Sequence, residues 1–191
     1  MYLIFDTETS DLPKPALPLD HRNQARIVQL GFVVLDKTLE ETASFKSYVK
    51  INGKFDISAG AAERHHITAE VCDKDGIEIE EVIRQFFSHN AEKFIAFNVW
   101  FDRQLIDIEC GLIGCESVDW DKKAFCAMLP MTNICKIPHP RWRGKFKWPK
   151  LQEAYRHCFN EDFSNAHDAL ADVRATARIF KWLVEKGHYK V

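Results

Sequence analysis

The chain has 191 residues, 46% of them hydrophobic, and a formal net charge of −2. That length suits one domain, 1–191, and the apolar fraction is enough for a core, which excludes a disordered chain. Its apolar runs are far shorter than the roughly 20 residues of a membrane span, and acids break the N-terminal apolar stretch almost at once. A signal peptide and a membrane partner are therefore not expected, and a cytoplasmic protein is.

In chain order, Tyr2–Phe5 reads as a strand buried on both faces, because four apolar residues run consecutively. Three prolines between Asp11 and Pro18 make an exposed connection. Arg26–Leu35 and Thr42–Ile51 follow as strands, and the short turns between them predict an antiparallel meander. Residues 56–75 read as short helical pieces and loop. Glu78–Phe87 is a helix with Ile79, Val82, Ile83 and Phe86 on one side. Lys93–Phe97 is a fourth strand, and Trp100–Cys110 a helix with Phe101, Leu105 and Ile108 in register. Asp119–Leu129 holds a short strand or helix, and Leu151–Cys158 starts another helix. From Asp168 to Glu185, Leu170, Val173, Ala177, Phe180 and Val184 form a core-facing stripe.

Six cysteines (Cys72, Cys110, Cys115, Cys126, Cys135, Cys158) sit in a chain too large to need a disulfide framework, and none makes C-x-x-C. The closest pair, Cys110 and Cys115, lacks paired Cys or His at zinc-finger spacing; Cys135 with His139, or His157 with Cys158, could be ligands only by chance of folding, so reduced thiols are expected. Charge is segregated: residues 136–156 carry seven Lys/Arg and one Glu, a local +6, which leaves −8 for the rest.

The acids are the most informative residues. In FDTETS, Asp6 and Glu8 lie two apart, so on a strand they share a face at its carboxyl end, where open α/β sheets place their sites. Such a pair repels unless a cation neutralises it, although a solvated strand end reads the same way. In AFNVWFD, Asp102 falls in the first helical turn after the fourth strand, where an acid also simply complements the helix dipole. In NAHDALADVRAT, Asp172 lies at the edge of the buried stripe with Ala169 and Thr176 beside it, small residues that permit close approach. His167, five residues earlier, is about 140° away on a helix and belongs in the preceding turn. Asp168 is equally suited to cap that helix.

Together F-D-T-E-T-S, F-N-V-W-F-D and A-H-D-A-L-A-D-V-R-A-T resemble the DEDD superfamily of 3′–5′ exonucleases, in its histidine subclass (DEDDh), from Tyr2 to the end of the last helix. The tyrosine subclass has Tyr four residues before the last acid, where this chain has Asp168. Ser10-Asp11 replaces the frequent Thr-Gly of the first motif, and Phe97 stands where His often precedes Asn; both sit near the substrate rim.

The resemblance implies a ribonuclease H-like α/β fold, a mixed five-stranded sheet with its first three strands antiparallel, flanked by helices. It implies hydrolysis at the 3′ end of nucleic acid with release of nucleoside 5′-monophosphates. Two Mg²⁺ ions, with Mn²⁺ as a substitute, would sit on hard oxygen ligands: Asp6 bridging both, Glu8 and Asp172 on one, Asp102 on the other. His167, with an ordinary pKa near 6.5, suits proton removal from the attacking water. Thr7, Thr9, His66, Asn98 and Phe101 are candidates for gripping the terminal nucleotide. Arg141, Arg143, Lys145 and Lys147, interleaved with Trp142, Phe146 and Trp148, suit single-stranded nucleic acid, with Trp148-Pro149 as an anchor to the core. The partner is a single-stranded 3′ end, DNA favoured, in replication or repair, and a DNA polymerase beside the enzyme is compatible.

Three other readings stay open. An exoribonuclease on short RNA or RNA 3′ tails fits the same residues. A non-catalytic nucleic-acid-binding module has no use for four converging acids. A phosphatase with an aspartyl nucleophile wants Asp-x-Asp and a late lysine, and neither is evident.

Overall fold

A computed structural model describes residues 1–164 and 168–190. Its centre is a five-stranded sheet in the order β3-β2-β1-β4-β5. The strands are β1 (Tyr2–Thr9), β2 (Ile27–Leu35), β3 (Glu41–Tyr48), β4 (Lys93–Ala96) and β5 (Ala124–Cys126). β1 pairs antiparallel with β2, and β2 with β3, whereas β1–β4 and β4–β5 are parallel. The first three strands are thus the expected meander, and the sheet is mixed.

Eight helices accompany the sheet among the described residues: α1 (Ala59–His65), α2 (Ala69–Asp75), α3 (Ile79–Phe87), α4 (Val99–Ile113), α5 (Trp120–Lys123), α6 (Met128–Cys135), α7 (Leu151–Phe159) and α8 (Ala169–Glu185). Alternation along β1 decides which helix meets which face. Leu3 and Phe5 join the large cluster that holds Val82, Phe86 and Leu105 of α3 and α4. Tyr2 and Ile4 pack instead on Val173, Ala177 and Phe180 of α8. All four apolar residues of β1 are buried, as a strand covered on both faces requires. The α8 stripe is wider than its sequence period suggested, because Ala175, Ile179 and Leu183 also bury on the α7 side.

Three elements depart from the sequence reading. β1 does not stop at Phe5 but runs to Thr9, so Asp6 and Glu8 lie within it. β3 ends at Tyr48, three residues before Ile51. The stretch read as one short element over Asp119–Leu129 is α5, β5 and the start of α6. Helix α6 has no side-chain N-cap and carries Pro130 in its first turn, a position that needs no N–H donor, so its sequence signal is weak.

Candidate active site

β1 outruns its parallel neighbour. β4 pairs only with Tyr2–Ile4, while β2 accompanies β1 through Thr9. The segment Asp6–Thr9 therefore has a strand on one side and an open edge on the other, at the carboxyl ends of β1 and β4. On this segment Asp6 and Glu8 face the α8 side, continuing the row of Tyr2 and Ile4.

Asp172 reaches them from the first turn of α8. The helix comes in very low because Gly31, which pairs with Asp6, has no side chain: a Cβ there would lie 2.9 Å from the Ala169 carbonyl carbon and 3.0 Å from the Leu170 nitrogen. Gln29, opposite Glu8, accepts the Ala169 N–H through Oε1 at 3.0 Å. Asp168 is the N-cap, its Oδ1 accepting from the N–H groups of Leu170 and Ala171. Its Oδ2 meets Lys46 Nζ of β3 at 2.8 Å. Burial raises the Asp168 pKa, but Lys46 and the two N–H donors outweigh it and hold the carboxyl below its ordinary value. β2 and β3 thus seat α8, and Asp6, Glu8 and Asp172 each present an oxygen within 4.8 Å of the others.

Asp102 arrives on the opposite side of β1. Its Oδ1 accepts from the Thr7 backbone N–H at 3.0 Å and from Thr7 Oγ1 at 2.8 Å. That N–H lies on the open edge left by the short β4, so the carboxylate replaces a missing strand partner. Asp102 lies outside the tight group of three, but its charge is the first among the carboxylates acting on Asp6.

The electrostatics have one direction. Burial, then repulsion from Asp102, Asp172 and Glu8, raises the Asp6 pKa well above its ordinary value. Burial and Asp172 push Glu8 to about 8. Burial pushes Asp102 to about 7 against the pull of the two Thr7 hydrogen bonds. Arg64, at the last turn of α1, opposes the rise at Asp6 and Glu8 without overcoming it. Carboxylates that converge and raise one another's pKa are what a divalent cation relieves, and an all-oxygen donor set suits a hard ion. Asp6, Glu8 and Asp172 are placed so that they could hold a divalent metal together. Among the described residues this is the group of acids, histidines and cysteines able to hold an ion. The six cysteines are free thiols.

The other expected contacts are spread more widely. His167 lies outside the described residues. Thr7 and Thr9 are buried, the first bonded to Asp102 and the second donating to the Asp11 carbonyl at 2.7 Å. Asn98 is the half-buried N-cap residue of α4, and its side chain makes no cap hydrogen bond. Phe101 packs half-buried against the main cluster. His66 is exposed, in the left-handed conformation (φ 58°) that ends α1. Its neighbour His65 turns inward, Nδ1 accepting from Ile67 N–H and Nε2 lying 3.2 Å from the Thr9 carbonyl oxygen.

Arg141, Arg143 and Lys145 are exposed on a bridged hairpin, whereas Lys147 is half-buried and paired with Glu153 at 2.6 Å. The anchor expected at Trp148-Pro149 is divided: Pro149 is buried, but Trp148 is 65% exposed. The chain alternates sides there, and the inward place of Lys147 toward Glu153 leaves the next side chain outward.

Sequence reasoning missed Gln29, Gly31, Lys46, His65 and Arg64. Gly31 carried a usable signal, since an isolated glycine in an apolar strand marks a close backbone approach. The others are polar residues on segments remote from the acid motifs, and only folding brings them near.

The exonuclease family described as RNase T matches residues 3–180. No curated protein matches. The nuclease domain of 3′hExo, a DEDDh family member bound to rAMP, aligns with a TM-score of 0.69 at 19% identity, over 97% of this chain and 92% of that one. E. coli exonuclease I in complex with a dA16 oligonucleotide gives 0.75 at 18% identity, over 96% of this chain and 40% of that one. A 3′-exonuclease with 3′-end specific recognition of the histone mRNA stem-loop gives 0.69 at 19% identity, over 97% of this chain and 64% of that one. The chain thus spans about two-fifths of exonuclease I and nearly all of the 3′hExo nuclease domain. At these identities the likeness establishes the fold, which is ribonuclease H-like. The family match is independent of them and runs from β1 into α8, taking in all four acids; the chain belongs to the RNase T family of exonucleases.

Proposed function

We propose that the chain, acting as one domain over 1–191, removes nucleotides one at a time from single-stranded or frayed 3′ ends, DNA in preference to RNA. Nucleoside 5′-monophosphates are the products, and DNA replication or repair is the setting. The observation that carries this reading is the meeting of Asp6, Glu8 and Asp172 oxygens within 4.8 Å, with Asp102 behind them. Two Mg²⁺ ions, or Mn²⁺ in their place, would be held by these four acids. Such ions, when bound, supply the Lewis acidity that stabilises the attacking and leaving oxygens of an in-line phosphodiester displacement.

The chain's own residues do the rest. Asp6 and Glu8 are fixed by a strand buried on both faces, so the reacting phosphate meets a preformed donor set. Thr7 orients Asp102 and lowers the cost of ionising it. His167 takes the proton from the attacking water, a task suited to imidazole, whose unperturbed pKa is near 6.5. His66, Asn98 and Phe101, with the Thr7 and Thr9 segment, bind the terminal nucleotide. Arg141, Arg143 and Lys145 hold strand phosphates, and Lys147, paired with Glu153, steadies the hairpin that carries them. Among the described residues no helix is long and apolar enough to cross a membrane.

A second reading, an exoribonuclease, has support of its own, because similar structures include one bound to rAMP and one with 3′-end specific recognition of histone mRNA stem-loop. One experiment separates the two and tests both. Matched 5′-labelled single-stranded DNA and RNA are incubated with Mg²⁺, with EDTA, and with Asp6→Ala. A ladder shortening from the 3′ end, lost in EDTA and in the variant, is the expected result, faster on DNA. A faster RNA ladder reverses the preference. Binding without degradation of either substrate removes the catalytic reading.

A further inference from the structure

The hairpin between α6 and α7 carries a surface that the acid site does not use. Its strands are joined by the Pro138–Phe146 bridge, with the His139 N–H donating to the Lys145 carbonyl at 2.8 Å and the Lys147 N–H to the Ile137 carbonyl at 2.9 Å. Its tip is self-contained. His139 Nδ1 accepts from the N–H groups of Arg141 and Trp142, and the two rings stack at 4.2 Å and 23°. Lys145 Nζ lies 5.8 Å from the Trp142 ring centre. Trp142 is therefore engaged within the hairpin itself.

The other two aromatic rings differ. Phe146, at the bridge, and Trp148, two positions on, flank Lys147 and are both exposed, 41% and 65%. Lys147, between them, turns away and is tied to Glu153 through both carboxylate oxygens at 2.6 and 2.7 Å. Residues 136–150 contain no acid, and Arg141 and Arg143 are exposed. Two exposed rings flanked by exposed cations in a stretch without acids are complementary to unpaired bases on an anionic backbone.

Its position is fixed by α7. Tyr155 lies with Ala171, Ala175 and Arg178, and Phe159 with Arg178, Trp182 and Glu185, so α7 runs parallel to α8. The start of α7, and with it the base of the hairpin, lies toward the Asp172 end of α8.

We propose that Phe146 and Trp148 form a base-stacking subsite for single-stranded nucleic acid several nucleotides 5′ of the bond being cut, with Arg141 and Arg143 on the phosphates. It rests on the exonuclease reading and deepens it: the enzyme prefers strands long enough to span from the acids to the hairpin. Lys147 here is a positioning residue that holds the ring-bearing strand against α7.

The test compares kcat/KM on two-nucleotide and twelve-nucleotide single strands for wild type, Trp148→Ala and the Arg141→Ala/Arg143→Ala pair, with thermal unfolding on each. The wild type should favour the longer strand, and Trp148→Ala should reduce that ratio about tenfold, the scale of one lost base stack. The arginine pair should reduce it further at low salt than at high salt. A general loosening of the fold lowers both rates and Tm together and leaves the ratio intact, which overturns the proposal. A ratio unchanged in both variants overturns it as well and leaves the surface for a protein. Anisotropy of a labelled twelve-nucleotide strand in EDTA reads the subsite without turnover. Absence of hydrolysis by the wild type thus defeats the catalytic reading alone, while unchanged anisotropy in Trp148→Ala defeats this one.

Discussion

Asp102 and Asp172 each sit in the first turn of a helix, yet the fold positions them by different means. Asp102 is tethered: two hydrogen bonds from Thr7 fix one oxygen to the exposed edge of β1. Asp172 is seated: α8 rests on the bare backbone of Gly31, is held by Gln29 at its first N–H, and is pinned through Asp168 to Lys46. A tether acts on one side chain, whereas a seat moves a helix. The two acids should therefore respond differently to substitutions that never touch them.

Replacing the seated acid itself gives the largest effect. Asp172→Asn removes one of the three clustered carboxylates, and kcat should fall at least about 10³-fold, corresponding to several kcal/mol of lost charge stabilisation. A variant within tenfold of wild type would show that Asp6 and Glu8 suffice without it.

Raising the seat comes next. Gly31→Ala places a methyl about 3 Å from the α8 backbone, which cannot yield as a flexible side chain would. Stability should fall by about 1–3 kcal/mol. Activity should fall more than stability accounts for, about 10²-fold in folded protein, because an ångström of misplacement suffices for that. Equal activity per folded molecule would show that the acids tolerate the shift.

Loosening the tether is milder. Thr7→Val keeps the backbone N–H to Asp102 and loses only the hydroxyl, so about tenfold in kcat is expected, on the scale of one charge-assisted hydrogen bond. With one lowering contribution removed, the Asp102 pKa of the metal-free protein should move up from about 7, and the pH profile of divalent-metal binding should move up with it. A profile that moved down, or an effect as large as that of Asp172→Asn, would contradict the comparison.

The smallest effect is read without catalysis. In the unfolded chain Glu8 and Asp102 titrate near 4, but burial holds them at about 8 and about 7 in the fold. Between those values the metal-free folded state binds more protons than the unfolded one, so their contribution is present at low pH and lost as pH rises through 7 to 8. Tm in EDTA should decline across that window more steeply for wild type than for Glu8→Gln, and added divalent metal should flatten the decline. Parallel curves for the two proteins would mean that Glu8 does not carry the shift.

Much of this was legible from local patterns. Tyr2–Phe5 was apolar on consecutive residues, so a strand covered on both faces followed, and the two-residue spacing of Asp6 and Glu8 put both acids on one side of it. The period of Val173, Ala177 and Phe180 gave the sheet-facing side of α8. Other features gave no local signal. His65 and His66 are adjacent and chemically identical, and only the packing of α1 decides that one turns inward toward Thr9. Trp148 has the composition of a core residue, and its exposure follows from the pairing of Lys147 with Glu153.

The sequence by itself determined which groups were available and how each was presented: the acids, their faces on strand and helix, and the basic stretch. The tertiary structure decided that Asp172 meets Asp6 and Glu8 from 164 and more residues away, and that Asp102 bonds Thr7 across 95. Periodicity is a property of the backbone and repeats over a few residues, so sequence carries it. Distance between remote residues depends on how whole elements pack, and here on a glycine that lets one helix come close.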